Sequence, residues 1–223
     1  MAKITPFEEF SEEYDEWFVR NKDKYEAELR ALRYFVPPNG KGLEVGVGSG
    51  KFAVPLGIKT GVEPSQKMAD KARKLGIRVL PGIAEDLPFP NGTFDFILMV
   101  TTICFVDDLK KSFQEAFRVI KKEGFIVIGF IDKESDLGKV YRRNKDKSHF
   151  YKIAEFFSTQ EVLACLSEVG FRNFETKQTI FPGNDTQQIQ DGFGTGSFVV
   201  IKGVKINKAS TNHEHQPIHT NSH

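Results

Sequence analysis

Residues 7–34 are heavily charged, yet Phe7, Phe10, Tyr14, Trp17, Phe18, Tyr25, Leu29 and Leu32 recur among the charges at roughly helical spacing, which predicts one or two amphipathic helices. Pro37 and Pro38 stop the run, because proline has no N–H to continue a helical ladder. A turn at 39–42 leads into Leu43-Glu44-Val45, the pattern of a short buried strand, which breaks into Gly46-Val47-Gly48-Ser49-Gly50 and then a helix over 51–56. The alternation continues with a strand at 59–62, a helix at 65–75 capped by Ser65, and a strand at 77–80. Residues 94–100 read as a central strand, 109–120 as a helix closed by a turn at Lys122-Glu123-Gly124, and 125–131 as a strand covered on both faces.

Beyond Asp132 the alternation lapses, and the polar, basic stretch 133–149 reads as an insertion, partly helical. Ser158 then caps a helix that runs through Val169 and stops at Gly170. Two strands follow at 174–181 and 197–204, joined by a Gly/Asn/Gln-rich stretch and expected to pair antiparallel at one edge of the sheet. Strands and helices in this alternation predict a parallel sheet wrapped by helices through right-handed crossovers. The chain therefore divides into a helical lid at 1–36, one ligand-binding α/β domain at 37–205 with a possible second lid at 133–151, and a tail at 206–223 too polar to fold alone.

Composition narrows the functional classes. Lys and Arg total 31 against 30 for Asp and Glu, so no global positive field draws the chain to nucleic acid or to an anionic membrane. The first residues lack the apolar core of a signal peptide, and the longest apolar runs are shorter than a membrane span, so a cytoplasmic protein is expected, as a monomer or a homodimer. Cys104 and Cys165 lie in apolar stretches and read as small buried hydrophobes, with a disulfide the weaker alternative.

Candidate chemistry centres on the glycine loop, where missing β-carbons let backbone N–H groups approach a ligand. A phosphate-binding P-loop fails twice, because Val45 stands where its first glycine belongs and Phe52 where its Ser or Thr belongs. A dinucleotide fingerprint is strained, since the loop runs G-x-G-x-G rather than G-x-G-x-x-G. Glu63 follows the first loop glycine at a distance close to that of a ribose-binding acid, and a carboxylate accepts hydrogen bonds from two hydroxyls at once.

Several segments in order strengthen one reading. The run Glu44 to Gly50 resembles the first motif of class I S-adenosylmethionine (SAM)-dependent methyltransferases, within their small-molecule branch, and Gly61-Val62-Glu63-Pro64-Ser65 resembles the end of their second strand. Gly82-Ile83-Ala84-Glu85-Asp86-Leu87-Pro88-Phe89 is similar to their adenine-edge segment, and the Asn91 to Asp95 and Arg118 to Gly124 runs match recurring structural segments. The resemblance covers most of 40–204. It implies a doubly wound, mostly parallel seven-stranded α/β sheet with an antiparallel edge strand, SAM as cofactor, S-adenosylhomocysteine as product and a small-molecule methyl acceptor. It further implies cofactor contacts from Glu44, Gly46, Gly48, Gly50, Glu63, Pro64, Ala84, Glu85 and Thr101. Many relatives carry an acid where this chain has Ile83, which leaves the adenine amino group to Glu85 or a backbone carbonyl and a ring nitrogen to the Ala84 N–H.

Other functions stay open on sequence alone: a nicotinamide-dependent oxidoreductase on the same type of sheet, or a SAM-binding protein without catalysis. Glu44 serves equally well as a ligand contact or as a tie beneath the loop. Methyl transfer from a sulfonium needs no dedicated acid, and no base stands out. Tyr14, Thr101 and His149 are the catalytic candidates, with Asp132 and Tyr141 beside them. Each has a plainer role: Tyr14 as an anchor of the N-terminal helices, Thr101 as strand filler and His149 as a surface residue. The histidines at 213, 215, 219 and 223 read as part of a mobile tail.

Overall fold

The N-terminal segment forms three helices, one more than its periodicity suggests. In the structure, a computed structural model describing residues 3–206, these are α1 (Thr5–Glu9), α2 (Ser11–Arg20) and α3 (Lys22–Leu32). Phe10 and Asn21 leave helical geometry between them. The Asn21 side-chain amide donates to the Trp17 carbonyl at 3.0 Å, and such local bonding by Asn competes with the helical ladder.

Eight strands follow among the described residues: β1 (Gly42–Val45), β2 (Thr60–Val62), β3 (Arg78–Leu80), β4 (Phe94–Val100), β5 (Ile120–Ile131), β6 (Phe171–Thr179), β7 (Gln190–Asp191) and β8 (Phe198–Lys205). They form one sheet in the order β3-β2-β1-β4-β5-β8-β6-β7. The strands from β3 to β5 pair parallel, whereas β8 runs antiparallel between β5 and β6. The predicted antiparallel pair at 174–181 and 197–204 thus forms, but the reversed strand is internal. The edge belongs to β7, a two-residue strand within the stretch read as a connector, and it makes the eighth strand.

Strand order reverses between β1 and β4, and the carboxyl ends of these strands open a crevice there, as doubly wound sheets do at such a switch point. β4 shows why both sheet faces must be covered. Phe96, Leu98 and Val100 join a core with Leu32, Phe52 and Val200 on one face, while Ile97 and Met99 join Phe113, Ile128 and Leu166 on the other. Helices α4 (Gln66–Lys74), α5 (Leu109–Val119), α6 (Asp136–Arg143) and α7 (Thr159–Val169) complete the described fold.

Two expected elements differ. No α-helix forms at 51–56; the segment is an irregular turn in which Val54 N–H bonds the Gly50 carbonyl and Ile58 N–H reaches back to Ala53. Pro55 supplies no N–H in the middle of that run, so a regular ladder cannot be completed. The turn expected at 122–124 is instead part of β5, which starts directly after α5, with Glu123 at φ 63 and a register shift opposite Phe94 and Phe96 absorbing the extra residues. Ser65 and Ser158 cap α4 and α7 as expected, the latter with a full capping box through Glu161. Both cysteines are free, Cys104 buried and Cys165 half-buried. Apart from Ile206, the tail with its four histidines lies outside the described residues.

Candidate functional site

The glycine loop leaves β1 with Gly46, Gly48 and Gly50 all in left-handed backbone conformations that favour glycine. A β-carbon on Gly46 would stand 2.5 Å from the Thr102 methyl, whereas one on Gly48 would face Tyr14 and Met68 across ordinary contact distances. Gly46 is therefore demanded by packing as well as by conformation, while the space over Gly48 is part of an open cleft. Gly46 and Val47 both donate to the Val62 carbonyl, locking the loop to the end of β2.

Glu63, the residue after β2, turns its carboxylate into this loop: Oε2 accepts from Gly48 N–H at 2.8 Å and Oε1 from Ser65 N–H at 2.9 Å. Burial pushes its carboxyl up to about 7, against the opposing pull of these two amides. Each oxygen keeps a second lone pair, and the side chain lines the cleft. The cleft encloses about 730 Å³, open to solvent, and its walls include Gly46, Gly48, Glu63, Pro64, Ala84, Glu85 and Thr101. Seven of the nine expected contact residues are thus brought together. Glu44 and Gly50 lie beneath it. Glu44 is 1% exposed; burial raises its carboxyl well above the usual range, opposed by a hydrogen bond from Ala53 N–H, and its Oε2 has no partner among the described residues. Gly50 packs against Ile77, whose Cδ1 a β-carbon would meet at 2.8 Å.

Glu85 lines the far wall, but its Oε1 accepts from the N–H groups of Asp107 (2.7 Å) and Asp108 (3.1 Å), joining two loops that border the cleft. Below it, Arg118 donates to the carbonyls of Leu87 and Phe89 and to Glu115, stapling the 87–89 backbone to α5. That accounts for the structural role expected of the 118–124 run.

A second, inner cavity of about 970 Å³ adjoins the cleft, and Phe7, Tyr14, Thr101 and Phe105 line both. Thr101 sits at this junction with φ 55 and ψ −3, a conformation that strains a β-branched residue by about 1–3 kcal/mol. Its N–H donates to Gly129 at 2.7 Å, which holds the strained turn in place. Tyr14 packs edge-on against Phe7 and Phe18, and burial, reinforced by the charges of Glu44 and Glu63, raises its phenol far above the usual range, so it stays protonated.

The remaining catalytic candidates separate. Tyr141 lines the inner cavity. His149 lines neither space; it stacks on Phe10 at 3.8 Å with its Nδ1 3.2 Å from Glu13, a half-exposed residue of the inner cavity's lining. Asp132 is buried and bonded to Thr159 N–H and Oγ1 at 2.9 and 2.6 Å, so it anchors α7. Sequence reasoning missed Glu28, Phe105, Phe150 and Tyr151, all of which line the inner cavity. A signal for Glu28 exists: Tyr25, Glu28, Leu29 and Leu32 share one helical face, which puts a carboxylate on an apolar stripe.

Comparison with known proteins gives this geometry a family. Residues 43–128 match the family described as a methyltransferase domain. A SAM-dependent methyltransferase of Thermotoga maritima, described as a possible histamine N-methyltransferase, is 48% identical with a TM-score of 0.87, covering 91% of this chain and 99% of that one. The chain belongs to the class I SAM-dependent methyltransferases. This methyltransferase is also 46% identical to an uncharacterized protein of Methanocaldococcus jannaschii over 90% of this chain and 98% of that one. It is 30% identical over 60% of its length to a malonyl-[acyl-carrier protein] O-methyltransferase of Geobacter sulfurreducens, of which it covers 56%. Its cofactor is SAM, and membership of this family sets aside the nicotinamide oxidoreductase alternative. No helix among the described residues is long and apolar enough to cross a membrane.

Proposed function

We propose that this methyltransferase binds SAM in the outer cleft and a small-molecule acceptor in the inner cavity, with the methyl group passing between them at the Tyr14–Thr101 junction. The observation that carries this reading is the Glu63 carboxylate, buried beside Gly46 and Gly48 with free lone pairs toward the cleft, which suits a ribose diol. The unpartnered Glu44 Oε2 beneath the same loop adds an acceptor where the loop would receive the amino-acid end of the cofactor. Pro64, Ile83 and Ala84 supply the apolar wall suited to a purine, and Glu85 is occupied in tying the 107–108 segment across its edge.

When bound, held by Glu63 and the loop at Gly46 and Gly48, the cofactor would supply an electrophilic methyl on a sulfonium for the acceptor's lone pair, with the thioether as leaving group. The protein's contribution is placement. Phe7 and Phe105 flank the junction and keep water from it, and the neutral Tyr14 phenol presents an oxygen there without acting as a base. Any proton displaced from the acceptor leaves for solvent. The inner cavity, a concave and mostly aromatic space bordered by α2 and the 141–156 segment, favours a small acceptor over a macromolecule, in keeping with the acceptor in the Thermotoga relative's description.

Scanning fluorimetry tests the assignment. SAM and S-adenosylhomocysteine should each raise the melting point of the full chain, since a ligand bound only by the folded state stabilises it, while NAD and NADP should leave it in place. A shift with NAD and none with SAM would refute the reading.

A further inference from the structure

The inner cavity holds a group that methyl transfer as described leaves unused. Glu28, on α3, is only 4% exposed and turns toward the cavity, with neither a hydrogen bond nor an ion pair among the described residues. The other charged residues of the lining already have partners: Glu13 faces His149 at 3.2 Å and Arg20 faces Glu16 at 3.9 Å, all four side chains being about half exposed or more. Around Glu28 the walls are aromatic, with Trp17, Phe18 and Phe150 on one side and Tyr141 stacked on Tyr151 at 4.5 Å between centroids on the other.

A buried carboxyl left without a partner is unfavourable in either protonation state, and more so when ionised. A neutral ligand can offer it a hydrogen bond but no countercharge, and an anionic one is repelled. A cation in this cavity gains a carboxylate and the negative faces of several rings together. We propose that the methyl acceptor carries a cationic nitrogen and that Glu28 is the residue that binds it. This rests on the inner cavity being the acceptor site. Burial pushes the Glu28 carboxyl up to about 8, partly offset by the charge of Lys24 one turn away, so near neutral pH it holds its proton in the free protein and gives it up when an ammonium arrives.

The experiment uses the full chain saturated with S-adenosylhomocysteine and two matched pairs of probes, tyramine with 4-ethylphenol and 2-phenylethylamine with 2-phenylethanol. Calorimetry should show each amine binding about 30-fold more tightly than its neutral counterpart, the scale of one buried charge pair. Tyramine at neutral pH should also release about one proton, read from buffers of different ionisation enthalpy. The titratable groups that interact with Glu28 are Lys24 and Tyr25 on its own helix, Tyr14 on α2, Tyr141 on α6, and Tyr151, with Glu13 and Arg20 of α2 elsewhere on the cavity lining. Glu28→Gln isolates its proton from theirs: the release and the preference for amines should both vanish, with the neutral probes unchanged. If that variant fails to fold, proton release by the natural protein still decides. Equal affinities within each pair, or tyramine binding without proton release, would overturn the proposal. Failure of the protein to bind S-adenosylhomocysteine at all would instead strike at the cofactor assignment, which separates the two.

Discussion

Glu63 concentrates the argument at the scale of single residues. Its neighbours are backbone amides, not cations, so burial outweighs their hydrogen bonds and its carboxyl sits near neutrality. Ribose hydroxyls donate to the ionised form, so SAM affinity should be full above about pH 7 and should weaken as pH falls through that value. Glu63→Ala should cost about 1–3 kcal/mol of SAM binding at alkaline pH and remove that pH dependence, both measurable by calorimetry. Unchanged affinity in the variant would take Glu63 out of the site. Glu63 and the loop glycines were legible in the sequence because they occupy the ends of adjacent strands at characteristic spacing. Glu28 was not, although its place among Tyr25, Leu29 and Leu32 marks it, because a helix this charged hides one inward acid among many outward ones.

Among elements, the connections decide how rigidly the site is held. Asp15 on α2 accepts from Ser49 of the glycine loop at 2.6 Å and from Lys71 of α4 at 2.8 Å, so α2, the loop and the helix after β2 share one carboxylate. Burial opposes its ionisation, but those bonds prevail and hold it below the usual carboxylate range. Asp132, weighed as a base from sequence, joins the end of β5 to the start of α7 by bonding Thr159 twice and Glu134 N–H at 2.8 Å. Asp132→Ala should therefore destabilise the fold by about 1–3 kcal/mol in urea titrations while SAM affinity holds, because it strands buried donors. Lost cofactor affinity at unchanged stability would restore Asp132 to the site. Element identities were readable wherever apolar period and caps agreed, as at α4, β4 and α7. They failed at 51–56, where Pro55 removes a donor, and at 120–124, where a neighbouring strand captures the end of a helix.

Over the whole molecule, three inward carboxyls set the response to pH. Glu28 at about 8, Glu63 at about 7 and the strongly raised Glu44 all hold protons more tightly than their ordinary 4.5. Such groups contribute stability that is full below the unfolded value and lost as pH rises through the folded one. The lowered acids Asp15, Asp70, Asp95, Glu115 and Glu161 act below their ordinary values and leave the range above about pH 5 untouched. The melting point of the ligand-free protein should therefore fall as pH rises from about 5 to about 8, and Glu28→Gln should flatten part of that slope. A level or rising profile in scanning fluorimetry would contradict the placement of these groups.

The chain's own pattern determined the α/β alternation, the parallel sheet, the glycine loop after β1 and the acid beside it. These depend on local periodicity and short spacings, which any stretch of sequence displays directly. Only the tertiary structure decided that β8 lies inside the sheet, that Thr101 is strained at the meeting of two cavities, that His149 faces outward and that Glu28 faces inward. Those outcomes depend on which distant segments pack together, and a side chain's surroundings are set by partners that can stand a hundred residues away.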